Sequence, residues 1–97
     1  MSTRMTIQGL IPLGFQQITS LSSAATLTVP AGAEVAILSV LTQSVRFRDD
    51  GTAPDATHGV IIPAGVAPYR YEGDLRAVQF IQTAASASMD IAYYGRA

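Results

Sequence analysis

Apolar and polar residues alternate with a period of two along most of this chain, and turn residues interrupt the alternation roughly every eight to twelve positions. In the segment VRFR, Val45 and Phe47 fall on one side and the two arginines on the other, and the segment MDIAY alternates in the same way. Successive side chains of a β-strand point to opposite faces of a sheet, so this period indicates strands. Short strands at such spacing are typical of an all-β sandwich or barrel.

The pattern predicts eight strands and almost no helix. Their expected ranges are 15–19, 25–29, 34–41, 44–48, 59–62, 68–72, 77–82 and 88–94. The segment EVAILSVL carries apolar residues at both odd and even positions, so we expect strand 34–41 to be central and buried on both sides. We predict one small antiparallel β-sandwich, jelly-roll-like, formed by residues 15–97.

Residues 1–14 are predicted to form an extended N-terminal arm. Gly9, Pro12 and Gly14 interrupt both the two-residue and the helical period. Apolar side chains remain that would be exposed in a monomer: Met5, Ile7, Leu10, Ile11 and Leu13. Such a segment needs a surface to lie on. We expect it to dock on a neighbouring subunit, and the alternative is that it completes the sheet.

The composition limits the classes of partner. Six arginines against seven acidic residues leave a net charge of −1, which argues against nucleic acid and against a basic membrane anchor. No apolar run approaches the ~20 residues that span a bilayer, and with no cysteine a disulfide framework is excluded. Only 13% of the chain is charged and 48% is hydrophobic. We therefore expect a homo-oligomer whose subunits cover part of each other's surface, made and kept in the cytoplasm until it assembles.

The loop VRFRDDGTAPDATHG concentrates charge and contains the chain's one histidine. Asp49, Asp50 and Asp55 do not keep the ligand spacing of a calcium loop, and a lone His58 cannot supply a zinc site. Asp49 or Asp50 beside His58 is a conceivable acid/base pair, but no nucleophile motif accompanies it. We predict no catalytic residue, no metal and no cofactor.

The same loop has the composition of a structural turn. Asp49 and Asp50 can accept hydrogen bonds from nearby backbone amides, Gly51 can adopt the left-handed conformation, and Pro54 stiffens the connection. We therefore predict a turn that holds the register of its two strands.

Tyrosines form a second group of candidate residues. Tyr69 and Tyr71 share one face of a predicted strand, and Tyr94 closes the last strand. Aromatic side chains on a β-domain can stack on sugars or nucleobases, but tyrosines in strands are more often found at the edge of a core or at a subunit interface. Both interpretations stay open at this point.

Five segments carry a resemblance to a known group: VRFRDDGTAP, GVIIPAG, YEGDL, VQFI and MDIAYYG. The chain resembles small structural proteins of tailed-bacteriophage particles, in which an Arg-x-Arg strand runs into Asp-Asp-Gly and the last strand ends in Tyr-Tyr. Asp55 departs from the Thr or Asn that members often have after the loop proline, and His58 is not part of the pattern.

The resemblance implies a β-sandwich without enzymatic activity whose partners are the major capsid protein or other virion proteins. Within it, Arg46 or Arg48 is expected to pair with a carboxylate of the same loop or of the YEGD turn, and both arginines are candidate interface residues together with the tyrosines. A head decoration or cement protein is the function we expect, with localisation in the virion. The alternatives are a neck or tail subunit and a carbohydrate-binding module for host attachment.

Overall fold

The structure of the protein is a computed structural model that describes residues 9–96. Eight strands follow one another: β1 (Ile11–Ile18), β2 (Ala25–Thr26), β3 (Ala33–Leu41), β4 (Val45–Arg48), β5 (Val60–Ile62), β6 (Tyr69–Tyr71), β7 (Gln79–Gln82) and β8 (Ser88–Gly95). Every predicted strand has its counterpart among them, so the all-β prediction is confirmed. Within residues 9–96 there is no helix long and apolar enough to cross a membrane.

The strands form two antiparallel four-stranded sheets packed as a sandwich. One sheet has the order β1-β8-β3-β6, and we name it sheet A; the other has the order β2-β7-β4-β5, and we name it sheet B. This strand order is that of a jelly roll, in which the chain passes repeatedly from one sheet to the other. The first and the eighth strands are neighbours in sheet A.

The core lies between the sheets and follows from the two-residue period. Every second side chain of β8 is buried, and in β4 the same holds for Val45 and Phe47. The central strand β3 is buried on its inner side and also at Val35 on its outer side, because Leu10 packs over Val35. Leu41, at the end of β3, is exposed, so the predicted two-sided burial holds for only part of this strand.

The first strand begins earlier than the sequence indicated. The predicted arm boundary at residue 14 falls inside β1, where Ile11 pairs with Gly95 and Gly14 with Tyr93. Pro12 is tolerated because β1 is an edge strand whose free side needs no N–H donor, and the register shifts between Pro12 and Gly14. Residues 1–8, the rest of the predicted arm, lie outside the described residues.

The loops divide between the two ends of the sandwich. Loops 19–24, 42–44, 63–68 and 83–87 meet at one end, where backbone hydrogen bonds join Gln82 to Leu21 and Thr83 to Ser44. None of these four loops contains Asp, Glu, Lys or Arg, and we name this end the uncharged end. Loops 27–32, 49–59 and 72–78 lie at the opposite end; the first is uncharged, and the other two carry five carboxylates and Arg76. We name it the charged end.

Candidate functional site

The Arg-x-Arg strand turns its two arginines to the outside of sheet B. Arg48 binds Asp50 with two hydrogen bonds, from Nε to Oδ1 at 3.2 Å and from Nη2 to Oδ2 at 2.7 Å. This contact lowers the pKa of Asp50 and raises the pKa of Arg48. Both side chains are partly exposed, and solvent screens an ion pair of this kind so strongly that it adds little to the stability of a fold. The pair therefore shapes the turn more than it stabilises the domain.

Arg46 holds the far part of the same loop. Its Nε donates to the carbonyl oxygen of Ala56 at 3.1 Å and its Nη1 to that of Gly59 at 2.9 Å. The guanidinium thus binds two carbonyl groups of the connection 49–59 and ties that connection to β4. Both candidate interface arginines make their polar contacts inside the chain.

Asp49 connects the two sheets. It follows β4 in sheet B, and its Oδ2 accepts a hydrogen bond of 2.5 Å from the hydroxyl of Tyr71, which lies on β6 in sheet A. Tyr71 is 5% exposed, and burial together with the bond to Asp49 raises its pKa well above the usual value. Gly73 lies so close that a Cβ there would overlap the tyrosine hydroxyl. The VRFRDDGTAP segment and the YEGDL turn are therefore packed together as one unit.

The turn itself has the geometry that its composition allows. Gly51 has φ of 88°, in the left-handed region, and the amide of Thr52 donates to Oδ1 of Asp50 at 3.3 Å. Pro54 is buried, whereas its neighbours in the loop are exposed.

His58 forms a contact other than the one considered from the sequence. Its Nδ1 lies 2.8 Å from Oδ1 of Asp55, and the backbones of the same two residues form an isolated bridge. The amide of Thr57 also donates to Asp55, and this bond, together with His58, holds the pKa of Asp55 well below its usual value. Neither Asp49 nor Asp50 takes part. Among residues 9–96, no three His, Cys, Asp or Glu side chains come together in a way that would hold a metal ion.

The three candidate tyrosines do not share a surface. Tyr69 and Tyr71 pack against Phe47 with ring centroids 6.0 and 5.6 Å away, and only Tyr69 is substantially exposed. Tyr94 lies on the opposite face of sheet A, in register with Val35. An aromatic platform made of Tyr69, Tyr71 and Tyr94 is therefore not formed, because two of them point into the sandwich and the third points out of it.

Two hollows accompany these groups. One, of about 240 Å³, borders the VRFRDDGTAP segment and is lined by Phe47, Arg48, Asp49, Asp50, Gly59 and Val60. The other, of about 270 Å³, lies on the outer side of sheet A and is lined by Leu10, Glu34, Val35, Arg70, Glu72 and Arg96. In the second hollow, Arg70 pairs with Glu72 and Arg96 with Glu34.

Of the candidate interface residues, Met5 and Ile7 lie outside the described residues. Leu10 is buried, and Ile11 and Leu13, which both lie in β1, are half-buried. Sequence reasoning missed Phe15, which is 69% exposed on the outer face of sheet A. The alternation in FQQI contained this signal, because Phe15 and Gln17 must share a face.

Comparison of the chain with protein-family models, with curated proteins and with solved structures found no match.

Proposed function

We propose that this protein is a non-enzymatic structural protein of a tailed-bacteriophage particle, a head decoration or cement protein that binds the assembled lattice and bridges major-capsid subunits. The observation that carries the proposal is the separation of charge between the two ends of the sandwich. The resemblance of the five sequence segments supports the assignment to a virion.

The uncharged end is suited to contact with another protein. Its four loops consist mainly of Ala, Ser, Thr, Gly and Pro, and Val66 stands 54% exposed among them. Depletion of charge is the compositional mark of the centre of a protein interface. Small side chains also allow the backbone of a partner to approach closely. The charged end remains suited to solvent.

The uncharged end is also preorganised. Ser44 joins two of its neighbouring loops, since its carbonyl oxygen accepts from the amide and the hydroxyl of Thr83 and its own hydroxyl accepts from the amide of Ala64 at 3.1 Å. Thr42 and Ser86 have φ of 73° and 75°, a conformation that non-glycine residues adopt only when their surroundings impose it. A surface ordered before binding loses little entropy on docking.

The contacts of the charged side chains in the VRFRDDGTAP segment support a structural role for these residues and not a reactive one. Arg46, Arg48, Asp49 and Asp50 all bond to other groups of the same chain. A subunit of this kind acts by mass action: it stabilises the lattice because it binds only the assembled form, and several copies held in one oligomer add effective concentration.

The first experiment measures the number of copies per particle by quantitative mass spectrometry of purified virions. Hundreds of copies are expected for a protein of the head lattice, whereas about six or twelve copies would indicate a ring in the neck or tail. Absence of the chain from the particle would refute the proposal.

The second experiment locates the docking surface. Val66→Glu introduces a charge at the uncharged end and is expected to weaken binding to particles that lack the protein at least about tenfold, since a buried unpaired charge is costly. Ala53→Glu, on an exposed site of the charged end, is the matched control and should bind as the wild type does. Equal affinities of the two variants would contradict docking through the uncharged end.

A further inference from the structure

One side of the sandwich is bounded by an edge strand of each sheet. β5 is the last strand of sheet B, β6 is the last strand of sheet A, and loop 63–68 joins them directly. Because the two strands belong to different sheets, side chains and not a backbone ladder close the sandwich between them. Phe47, whose partner in β5 is Val60, contacts the ring of Tyr69 on β6 with ring centroids 6.0 Å apart. The apolar interior therefore reaches the surface along this side.

Exposed apolar side chains are concentrated at the same place. Among residues 9–96 six large apolar side chains are exposed, and four of them belong to the ten residues 60–69. Val60 is 57% exposed, Ile61 48% and Tyr69 40%, and we name these three residues the flank. The fourth, Val66, lies at the corner where the flank meets the uncharged end. Single exposed apolar residues are common on monomers, whereas a concentration of this kind marks an interaction surface.

The charge distribution of the flank favours contact with a second copy of the same chain. Residues 59–69 contain no charged side chain and no histidine. The charged residues that border the flank are engaged within the chain, since Arg48 binds Asp50 and Asp49 accepts the hydrogen bond of Tyr71. In a dimer with two-fold symmetry the same patch lies on both sides of the interface, so a charge near the axis meets its own like charge. An uncharged patch avoids this repulsion.

The shape of the flank is also complementary to itself. The hollow of about 240 Å³ has Phe47 and Val60 in its lining, and Ile61 projects beside it from the outer face of sheet B. Its volume is smaller than the ~300–1,000 Å³ of sites that hold small-molecule ligands, and it suits one or two side chains. A two-fold axis near Val60 sets Ile61 of each copy against the hollow of the other.

The available area matches that of a weak, reversible dimer. The accessible surface of 5454 Å² amounts to about 60 Å² per residue, so the ten residues 60–69 present about 600 Å² in each copy. Two copies then bury about 1,200 Å², at the lower end of the range for specific interfaces. β5 and β6 have three residues each, and Pro63 and Pro68 border them, which limits the extension of either sheet by further strands. A closed dimer is therefore favoured over a growing fibre.

We propose that two copies of this chain associate through the flank, with Val60, Ile61 and Tyr69 of each copy buried against the other. Association covers the side on which the core reaches the surface. The dissociation constant is expected in the micromolar range, because the interface is small. This inference concerns the isolated protein and does not depend on the proposed role in a virion.

Sedimentation-velocity ultracentrifugation of the full-length protein tests the proposal over a concentration range of about 1–300 μM. The test variant is Ile61→Lys. The matched control is Phe15→Lys, since Phe15 is also an exposed apolar residue of an edge strand, but lies on β1 at the other side of sheet A. We expect the wild type and Phe15→Lys to form a dimer with the same dissociation constant, and Ile61→Lys to have a constant at least about tenfold higher, because a buried unpaired charge is costly. Circular dichroism of both variants checks that they are folded.

Three outcomes of this experiment overturn the proposal. A wild-type protein that remains monomeric at the highest concentration has no such interface. A dimer that Phe15→Lys dissociates and Ile61→Lys leaves intact is formed through sheet A. A dimer with equal dissociation constants in both variants and the wild type is formed through neither position.

A second measurement uses the wild type alone. Hydrogen exchange followed by mass spectrometry is recorded at concentrations well below and well above the dissociation constant. We expect peptides that cover residues 60–69 to exchange more slowly at the higher concentration, because amides in a formed interface exchange only when it opens. Peptides that cover residues 15–18 of the edge strand β1 serve as the control and should exchange at the same rate in both samples. Exchange of residues 60–69 that is independent of concentration overturns the proposal.

Discussion

The hydrogen bond between Tyr71 and Asp49 is expected to be the strongest single polar contact of the fold. It is 2.5 Å long, joins the two sheets, and has a carboxylate as its acceptor. Hydrogen bonds to charged groups contribute about 1.5–3 kcal/mol, against about 0.5–1.5 kcal/mol for neutral ones. Tyr71→Phe keeps the ring, which packs edge-on against Phe47 at 5.6 Å, and removes only the hydroxyl.

The same protein offers a matched comparison. The hydroxyl of Tyr93 is also partly buried and donates to the neutral Oε1 of Gln16 at 2.6 Å. Tyr71→Phe should therefore lower the free energy of unfolding by about 2 kcal/mol and Tyr93→Phe by about 1 kcal/mol. For a domain of this size, 2 kcal/mol corresponds to a fall in melting temperature of about 8–16 °C, from 4–8 °C per kcal/mol.

Urea denaturation followed by circular dichroism measures both values. A double-mutant cycle with Asp49→Ala then isolates the contact, and the coupling free energy between positions 49 and 71 should exceed about 1.5 kcal/mol. The reasoning is refuted if Tyr71→Phe costs no more than Tyr93→Phe, or if the coupling is below about 0.5 kcal/mol.

Three further predictions follow from single positions. Gly51→Val should lower the free energy of unfolding by about 1–3 kcal/mol, because φ at this position is 88°. A new Cβ would meet no atom within 4 Å, so backbone strain is the whole effect. A variant with the melting temperature of the wild type would exclude that conformation. Gly95→Ala should cost about 3 kcal/mol, since its Cβ would overlap the carbonyl oxygen of Gly32 and lie 2.6 Å from Leu13, and a calorimetric melt within a degree of the wild type would contradict that packing. Burial raises the pKa of Tyr93 from 10.0 to about 12. The stabilisation linked to its neutral form is complete below pH 10.0 and is lost as the pH rises toward 12; an ultraviolet difference titration against Tyr93→Phe should find this group ionising about two pH units above the usual value.

The fold followed from local pattern, and the site followed only in part. Alternation located all eight strands, because one buried face imposes a period of two wherever the sheets meet. The alternation placed the start of β1 too late, because Pro12 and Gly14 were taken to interrupt the strand. These residues interrupt a strand only where its neighbours need their hydrogen bonds or side chains, and the edge strand β1 tolerates both of them.

The partners within the site were harder to predict from the sequence. The bond from Arg48 to Asp50 spans two residues and was expected, whereas Tyr71 reaches Asp49 across 22 residues and requires the strand order to be known. The separation of charge between the two ends can likewise be recognised only when the strand order is known. The uncharged loops are far apart in the sequence, and only the jelly-roll order brings them together.

The place of β8 between β1 and β3 has a consequence for how the chain folds. The last of the eight strands is an interior strand of sheet A, and contacts such as Gln17 to Asp90 and Tyr93 to Gln16 join residues 73 and 77 positions apart. Such nonlocal pairing slows folding, because a long loop must close before its contacts form. On the ribosome, sheet A cannot assemble until β8 has emerged, and until then β1 has no partner. Folding of this domain is therefore expected to be late and cooperative, with β1 as the segment most exposed to aggregation while it waits.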